Sequence, residues 1–452
     1  MKLRAAFVLG LTCLAAAGAS QAASAARHQA RTPIKHFITI LQENHTYDNY
    51  FGTYPRGDGF PPNVCVPVNP ARPKGNCVRP FHIGDNNILP RDLDHSQNTF
   101  RLQYDRGKLD GFVNALNLRN QDGRLALGYR DGRDVGYYWN LADQYVLYDR
   151  FFSSASAGSF LNHVYWVSGG AAGGSDRMPV DGYKDLTTIF DRLEAAGVSW
   201  KFYVQNYEPR LNYRTLRSFP GNRVSQVIWV PLLNIPRYLD DPKLRSHIVD
   251  LDQYYTDLHD GTLPEVAYIA PSGPSEHPPS NIASGQAFIG TMINALIASH
   301  EWKSSAFLLA YDDWGGWYDH VKPPQVDRYG YGFRVPALLV SPYAKRGFVD
   351  HTTLDFTSIL RFIEDNWGLK PVSTRDAHAK SIASAFDFTR PPRAPEFTAR
   401  TRSTSKELHV KRGRIYVLYL GALALPVIAA GWVLWRNRGR PSEPLAVGRE
   451  EA

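Results

Sequence analysis

An α/β fold, with a mainly parallel sheet covered on both faces, is what this 452-residue sequence predicts. Short, β-prone, largely apolar runs at 37–41, 198–204, 266–269, 307–311 and 335–340 read as strands buried on both sides. Segments of helical periodicity lie between them, so the strands return by crossovers. A third observation lies at the carboxyl ends of the apolar runs. Residues 34–41 lead into Gln42-Glu43-Asn44-His45, and 307–311 into Asp312-Asp313-Trp314-Gly315-Gly316. The run Val164-Tyr165-Trp166-Val167 ends in Ser168-Gly169-Gly170. Ligands of open α/β sheets bind beyond the carboxyl ends of the strands. Glu43, Asn44, Asp312, Asp313 and Ser168 are therefore expected to converge on one hard cation with a hydroxyl nucleophile beside it.

From the N-terminus, Met1-Lys2-Leu3-Arg4 precedes an apolar stretch and then small residues, so 1–26 reads as a secretory signal peptide. Cys13 falls within it. Cys65 and Cys77 remain, an even pair in a Pro/Asn/Gly-rich loop, and export favours a disulfide between them. Helices are predicted at 187–196, 286–299 and 357–366, where apolar residues recur on one face. The irregular segment 206–261, with scattered Tyr, Pro and Arg, is expected to be a lid or rim insertion in a catalytic domain spanning 27–388. Residues 389–414 read as a basic stalk. The charge-free stretch 415–435 spans roughly 30 Å as a helix and is expected to cross a membrane, leaving 436–452 as a cytoplasmic tail. This arrangement exports the body and anchors it in the plasma membrane with the catalytic domain outside. The net charge of +8 lies in the two ends, and residues 27–390 are formally neutral. That distribution argues against a nucleic-acid partner.

The chemistry concentrates in few places. Adjacent carboxylates such as Asp312 and Asp313 repel each other, and a cation offsets that repulsion. Gly315-Gly316 permits close backbone approach. Histidines stand in polar contexts at His95, His277, His320 and His351, of which His95, His277 and His351 are the expected catalytic acid–base residues. The role of His320 is left open between catalysis and anchoring a loop.

Gln42-Glu43-Asn44-His45-Thr46-Tyr47-Asp48-Asn49-Tyr50-Phe51-Gly52 resembles the opening motif of a bacterial phosphoesterase family. That family includes non-haemolytic phospholipases C and certain acid phosphatases, within the alkaline-phosphatase-like superfamily. The resemblance continues through Gly107-Lys108-Leu109-Asp110-Gly111-Phe112, residues 162–169, Ser275-Glu276-His277-Pro278-Pro279 and 311–321. Arg334-Val335-Pro336, Val349-Asp350-His351-Thr352 and Ser358-Ile359-Leu360-Arg361-Phe362 complete it. The blocks occur in family order.

The resemblance implies an alkaline-phosphatase-like three-layer α/β/α sandwich. It implies Glu43, Asn44, Asp312 and Asp313 as metal ligands, and Ser168 as nucleophile and a further ligand. The family commonly carries Asp-Glu-His-Gly-Gly where this chain has Asp312-Asp313-Trp314-Gly315-Gly316, which leaves the divalent ion open among Ca²⁺, Mg²⁺ and Mn²⁺. The implied activity is metal-assisted phosphoester hydrolysis through a seryl-phosphate intermediate, phospholipase C-like, on a phospholipid headgroup or other phosphate ester. The alternatives are an acid phosphatase acting on soluble phosphomonoesters and an inactive surface binding protein that keeps the fold.

Overall fold

A computed structural model describes residues 28–84, 92–170, 173, 176–220, 224–273, 275–278, 281–402 and 432. The chain divides into two units, 1–400 and 401–452, and the first carries the sheet and the site. The expected signal peptide, residues 1–26, lies outside the described residues.

Eight strands form the main sheet: β1 (His36–Gln42), β2 (Val146–Tyr148), β3 (Trp200–Val204), β4 (Ile248–Asp250), β5 (Val266–Ala270), β6 (Ser305–Tyr311), β7 (Ala337–Val340) and β8 (Phe348–Asp350). Their order across the sheet is β8-β2-β7-β6-β1-β5-β3-β4. Only β7 runs antiparallel to its neighbours. The helices that bear on the site are α1 (Tyr47–Phe51), α2 (Gly136–Gln144), α3 (Ser159–Ser168), α4 (Ile189–Ala196), α5 (Val224–Trp229), α6 (Ile282–Ala298) and α7 (Phe356–Trp367).

Both faces of the sheet are covered, as its apolar runs require. On one face Phe37 of β1 packs on Phe362 of α7, and Tyr268 of β5 on Trp166 of α3, with ring centroids 5.0 and 4.5 Å apart. On the other, Tyr203 of β3 meets Tyr254 at 5.6 Å, and the Tyr254 hydroxyl donates to the Met292 carbonyl of α6. Every residue of β5, β6 and β7 is buried. This is the expected α/β/α arrangement with a mainly parallel sheet.

Register places the site. The β1–β6 ladder runs from His36↔Ser305 to Gln42↔Tyr311. Glu43 and Asp312 therefore leave the sheet side by side, and the Asp312 amide donates to the Gln42 carbonyl at 3.0 Å. On the other flank β5 pairs with β1, and its exit loop carries His277.

Three expectations are corrected. Among the described residues no helix is long and apolar enough to cross a membrane, so the transmembrane helix expected over 415–435 is not supported. That segment, Trp432 apart, also lies outside the described residues. The expected stalk does not begin at 389, because 389–400 still pack on the body. Arg393 donates to the Gln144 and Ser341 carbonyls, and Asn140 donates to the Ala399 carbonyl at 2.8 Å. Lastly, Ser168 ends a helix rather than a strand. The pair Cys65 and Cys77 forms the expected disulfide, closing a small hairpin in which Val66 pairs with Val78.

Next to the C-terminal end of α3, two carboxyl groups compete. Glu364 of α7 faces Asp376, and both accept from the Val372 amide. Burial, with Asp376 beside it, pushes Glu364 up to about 9. The folded state thus keeps a proton that the unfolded chain releases near the ordinary carboxyl value, so stability falls as pH rises from about 4.5 to 9. Glu364→Gln, which mimics the protonated form, is expected to be neutral near pH 4 and stabilising at pH 8. Denaturant midpoints at the two pH values check this.

Candidate active site

Glu43 and Asn44 follow β1, and Asp312 and Asp313 follow β6, all of them buried. Gly315 holds the two turns together. It sits at φ +57°, and a Cβ there would lie 2.1 Å from the Asn44 carbonyl oxygen. Any side chain would push apart the turns that carry Asn44 and Asp313. The Asp313 carboxylate accepts from the Gly315 amide at 2.7 Å, which fixes its outer oxygen toward the centre.

The hydroxyl that meets these carboxylates belongs to Ser159, not Ser168. Ser159 opens α3, and its Oγ lies 3.2 Å from both Glu43 Oε2 and Asp313 Oδ2. Asp176 accepts from the Gly158 and Leu161 amides at 2.8 and 3.1 Å and so clamps the first turn of α3. Asn162 accepts from the Ala155 amide and donates to the Ala157 carbonyl, fixing the approach to the turn. Ser168 lies nine residues on, about 13 Å along the axis. Its hydroxyl serves the Val164 and Gly170 carbonyls at the helix end. Residues 160–168 are all buried, so their pattern reads equally as a strand and as a helix enclosed on all sides. A glycine-serine pair opening an apolar run was the available signal for Ser159.

His163, one turn along α3, joins Glu43 and Asp312 in a group whose ligand atoms lie within 4.8 Å of one another. Its Nδ1 bonds the Ser159 carbonyl at 2.9 Å, and burial lowers its pKa, so it is a neutral imidazole with Nε2 3.9 Å from Glu43 Oε1. Glu43 Oε1, Asn44 Oδ1 and Asp312 Oδ2 are buried with no hydrogen-bond partner. Burial, reinforced by neighbouring carboxylates, raises Glu43 well above the usual range. It pushes Asp312 and Asp313 up to about 6. Orphaned oxygens and mutually repelling carboxylates fit a bound cation, and donors that are mostly oxygen fit a hard divalent one.

His95 also reaches this centre. Its Nε2 lies 3.2 Å from Asn44 Nδ2, and its Nδ1 is 2.8 Å from the Leu93 carbonyl and 3.2 Å from Asp92 Oδ2. Burial opposes its charge, but Asp313 and Asp92 outweigh it and push His95 up to about 9. His277 Nε2 lies 3.5 Å from the same Asp92 oxygen. Sequence reasoning missed Asp92, which ties the two imidazoles together.

His351 is not brought in. It follows β8, three strands from β6 and thus about 14 Å across the sheet. Its imidazole is 69% exposed and bonds Asp149. His320 is occupied by Asp48, itself paired with the buried Arg334. These two histidines belong to the scaffold around the site.

Glu43, Ser159, His95 and His277 line a cleft of about 780 Å³. One wall comes from α5, where Val224, Ile228 and Trp229 line it.

Glu43, Asn44, Asp312 and Asp313, with His163 and the helix-borne Ser159 beside them, form a set of donors that fits a divalent cation. The chain belongs to the Phosphoesterase family, whose model matches residues 34–370. It is 26% identical over 434 residues to the non-hemolytic phospholipase C of Pseudomonas aeruginosa, covering 82% of this chain and 59% of that protein. Phospholipase C B of Mycobacterium tuberculosis is 28% identical over 422 residues, covering 80% of this chain and 79% of that one. Among solved structures, the lipoteichoic acid synthase LtaP from Listeria monocytogenes overlays at a TM-score of 0.41 with 9% identity, covering 78% of each chain.

Proposed function

We propose that this chain is a phospholipase C-like phosphodiesterase in which Ser159 is the nucleophile. The observation that carries the choice of ester is the charge of the cleft. Glu43, Asp92, Asp94 and Asp176 line it with His95 and His277, and among its described lining residues there is no Lys or Arg. Such a surface disfavours a dianionic phosphomonoester and favours a diester whose alcohol is neutral or cationic.

Glu43, Asn44, Asp312 and Asp313, with His163 as a nitrogen donor, would hold the divalent ion. Bound there, it would supply positive charge against the carboxylates and the phosphoryl oxygens. Ser159 Oγ attacks phosphorus and passes its proton to Glu43 or Asp313, both within hydrogen-bond reach. The positive end of α3 favours the developing alkoxide. His95, held charged, clamps a phosphoryl oxygen, while His277 gives a proton to the leaving alcohol. Water then attacks the phosphoseryl group, returns a proton to His277, and Ser159 leaves with its own restored. The catalytic body is assigned to 27–400, and the disulfide supports its export to an oxidising compartment.

The test is turnover of phosphatidylcholine, p-nitrophenyl phosphorylcholine and p-nitrophenyl phosphate, with and without chelator. The diesters should exceed the monoester in kcat/KM by at least about tenfold, a difference of ~1.4 kcal/mol. A preference for the monoester would contradict the reading.

A further inference from the structure

The residue before His277 points away from the cleft. Glu276 is 1% exposed, and three tyrosine hydroxyls donate to its carboxylate. Tyr50 comes from α1, Tyr138 from α2, and Tyr311, at 2.7 Å, is the last residue of β6. Room for the side chain is left by Gly285 of α6, where a Cβ would lie 2.1 Å from Glu276 Cγ. The His45 ring stacks on Tyr50 at 4.4 Å and meets the Tyr311 edge at 5.9 Å, closing the cage. Each anchor adjoins a site residue in the chain. His45 follows Asn44, Tyr311 precedes Asp312, and Glu276 precedes His277.

We propose that Glu276 is a positioning residue, a single buried carboxylate that sets His277 against the two ligand-bearing strand ends through tyrosine hydroxyls. The inference rests on the proposed function for what His277 does, and on geometry alone for how it is held. A buried ionisable hub is a poor device for stability, since well-packed apolar residues commonly serve as well. Its advantage lies in direction. Three donors from three elements leave the carboxylate one orientation, and a proton donor displaced by about 1 Å loses roughly a hundredfold in rate.

The test uses Glu276→Gln and the milder Tyr311→Phe in the full chain, assayed on two diesters. Phosphatidylcholine releases an alkoxide that needs a proton, whereas p-nitrophenyl phosphorylcholine releases a phenolate that does not. In single-turnover measurements, which read phosphoryl transfer to Ser159 before the hydrolysis common to both substrates, both variants should lose about tenfold or more on the phospholipid and much less on the chromogen. His277→Ala should give the same pattern, and combining it with Glu276→Gln should add little further loss. Equal losses on both substrates, or none on either, would overturn the proposal. Hydrogen exchange supplies a readout independent of activity. The peptide carrying Glu276 and His277 should exchange faster in both variants while the sheet strands do not, and unchanged exchange there would also overturn it. Wild-type protein inactive on both diesters would count against the proposed function, and the exchange result would still decide the role of Glu276.

Discussion

Ser159→Ala is expected to lower turnover by at least about a thousandfold while the protein stays folded, because loss of a covalent nucleophile closes the reaction path. The side chain removed is small and sits at the first position of α3. Its hydroxyl faces two carboxylates rather than the core, so little packing is lost. Ser168→Ala is the matched control. It deletes a hydroxyl bonded to the Val164 and Gly170 carbonyls at the far end of the same helix, and should cost about 1 kcal/mol of stability with near-normal kcat. Steady-state rates and melting curves of the two variants check the pair. The reverse pattern would return the nucleophile to Ser168.

Removal of the divalent ion should have the second largest effect. Without it, Glu43, Asp312 and Asp313 face one another in a buried site, each with its charged form disfavoured. An ion present at a hundred times its dissociation constant stabilises the folded state by about 2.7 kcal/mol. Chelation should therefore lower the melting temperature by a few degrees and reduce activity to about 1% or less, with both restored by one of Ca²⁺, Mg²⁺ or Mn²⁺. Asp312→Asn keeps the shape of the turn but removes a charge, so it should weaken ion affinity more than it changes the stability of the chelated protein. Titration calorimetry with each ion and melting of chelated samples check these outcomes. Full activity in protein shown to be metal-free would contradict them.

Much of the sheet was legible because its central strands are short apolar runs buried on both faces. The runs at 37–41, 266–269 and 307–311 fall inside β1, β5 and β6. β2, β4 and β8 are three residues each, too short for any periodicity to appear. The direction of β7 was equally hidden, since a buried antiparallel strand carries the same apolar signature as a parallel one. In the site, Glu43, Asn44, Asp312 and Asp313 were readable because each pair directly follows a strand, and the β1–β6 register brings the strand ends together. Ser168 was misplaced because α3 is enclosed on nearly every side, which erases the polar face that normally marks a helix. Asp92, Asp176 and His163 act through contacts between elements distant in the chain, and no local spacing records such contacts. His351 carried a local motif, but the order of strands put it at the sheet's far edge.

The most direct measurement is peptide mapping of enzyme quenched in acid during turnover of p-nitrophenyl phosphorylcholine, with mass spectrometry locating the trapped group. A phosphorylcholine adduct on Ser159, absent from Ser159→Ala, is the expected result. An adduct on Ser168 or on a histidine, or full turnover by Ser159→Ala, would contradict it.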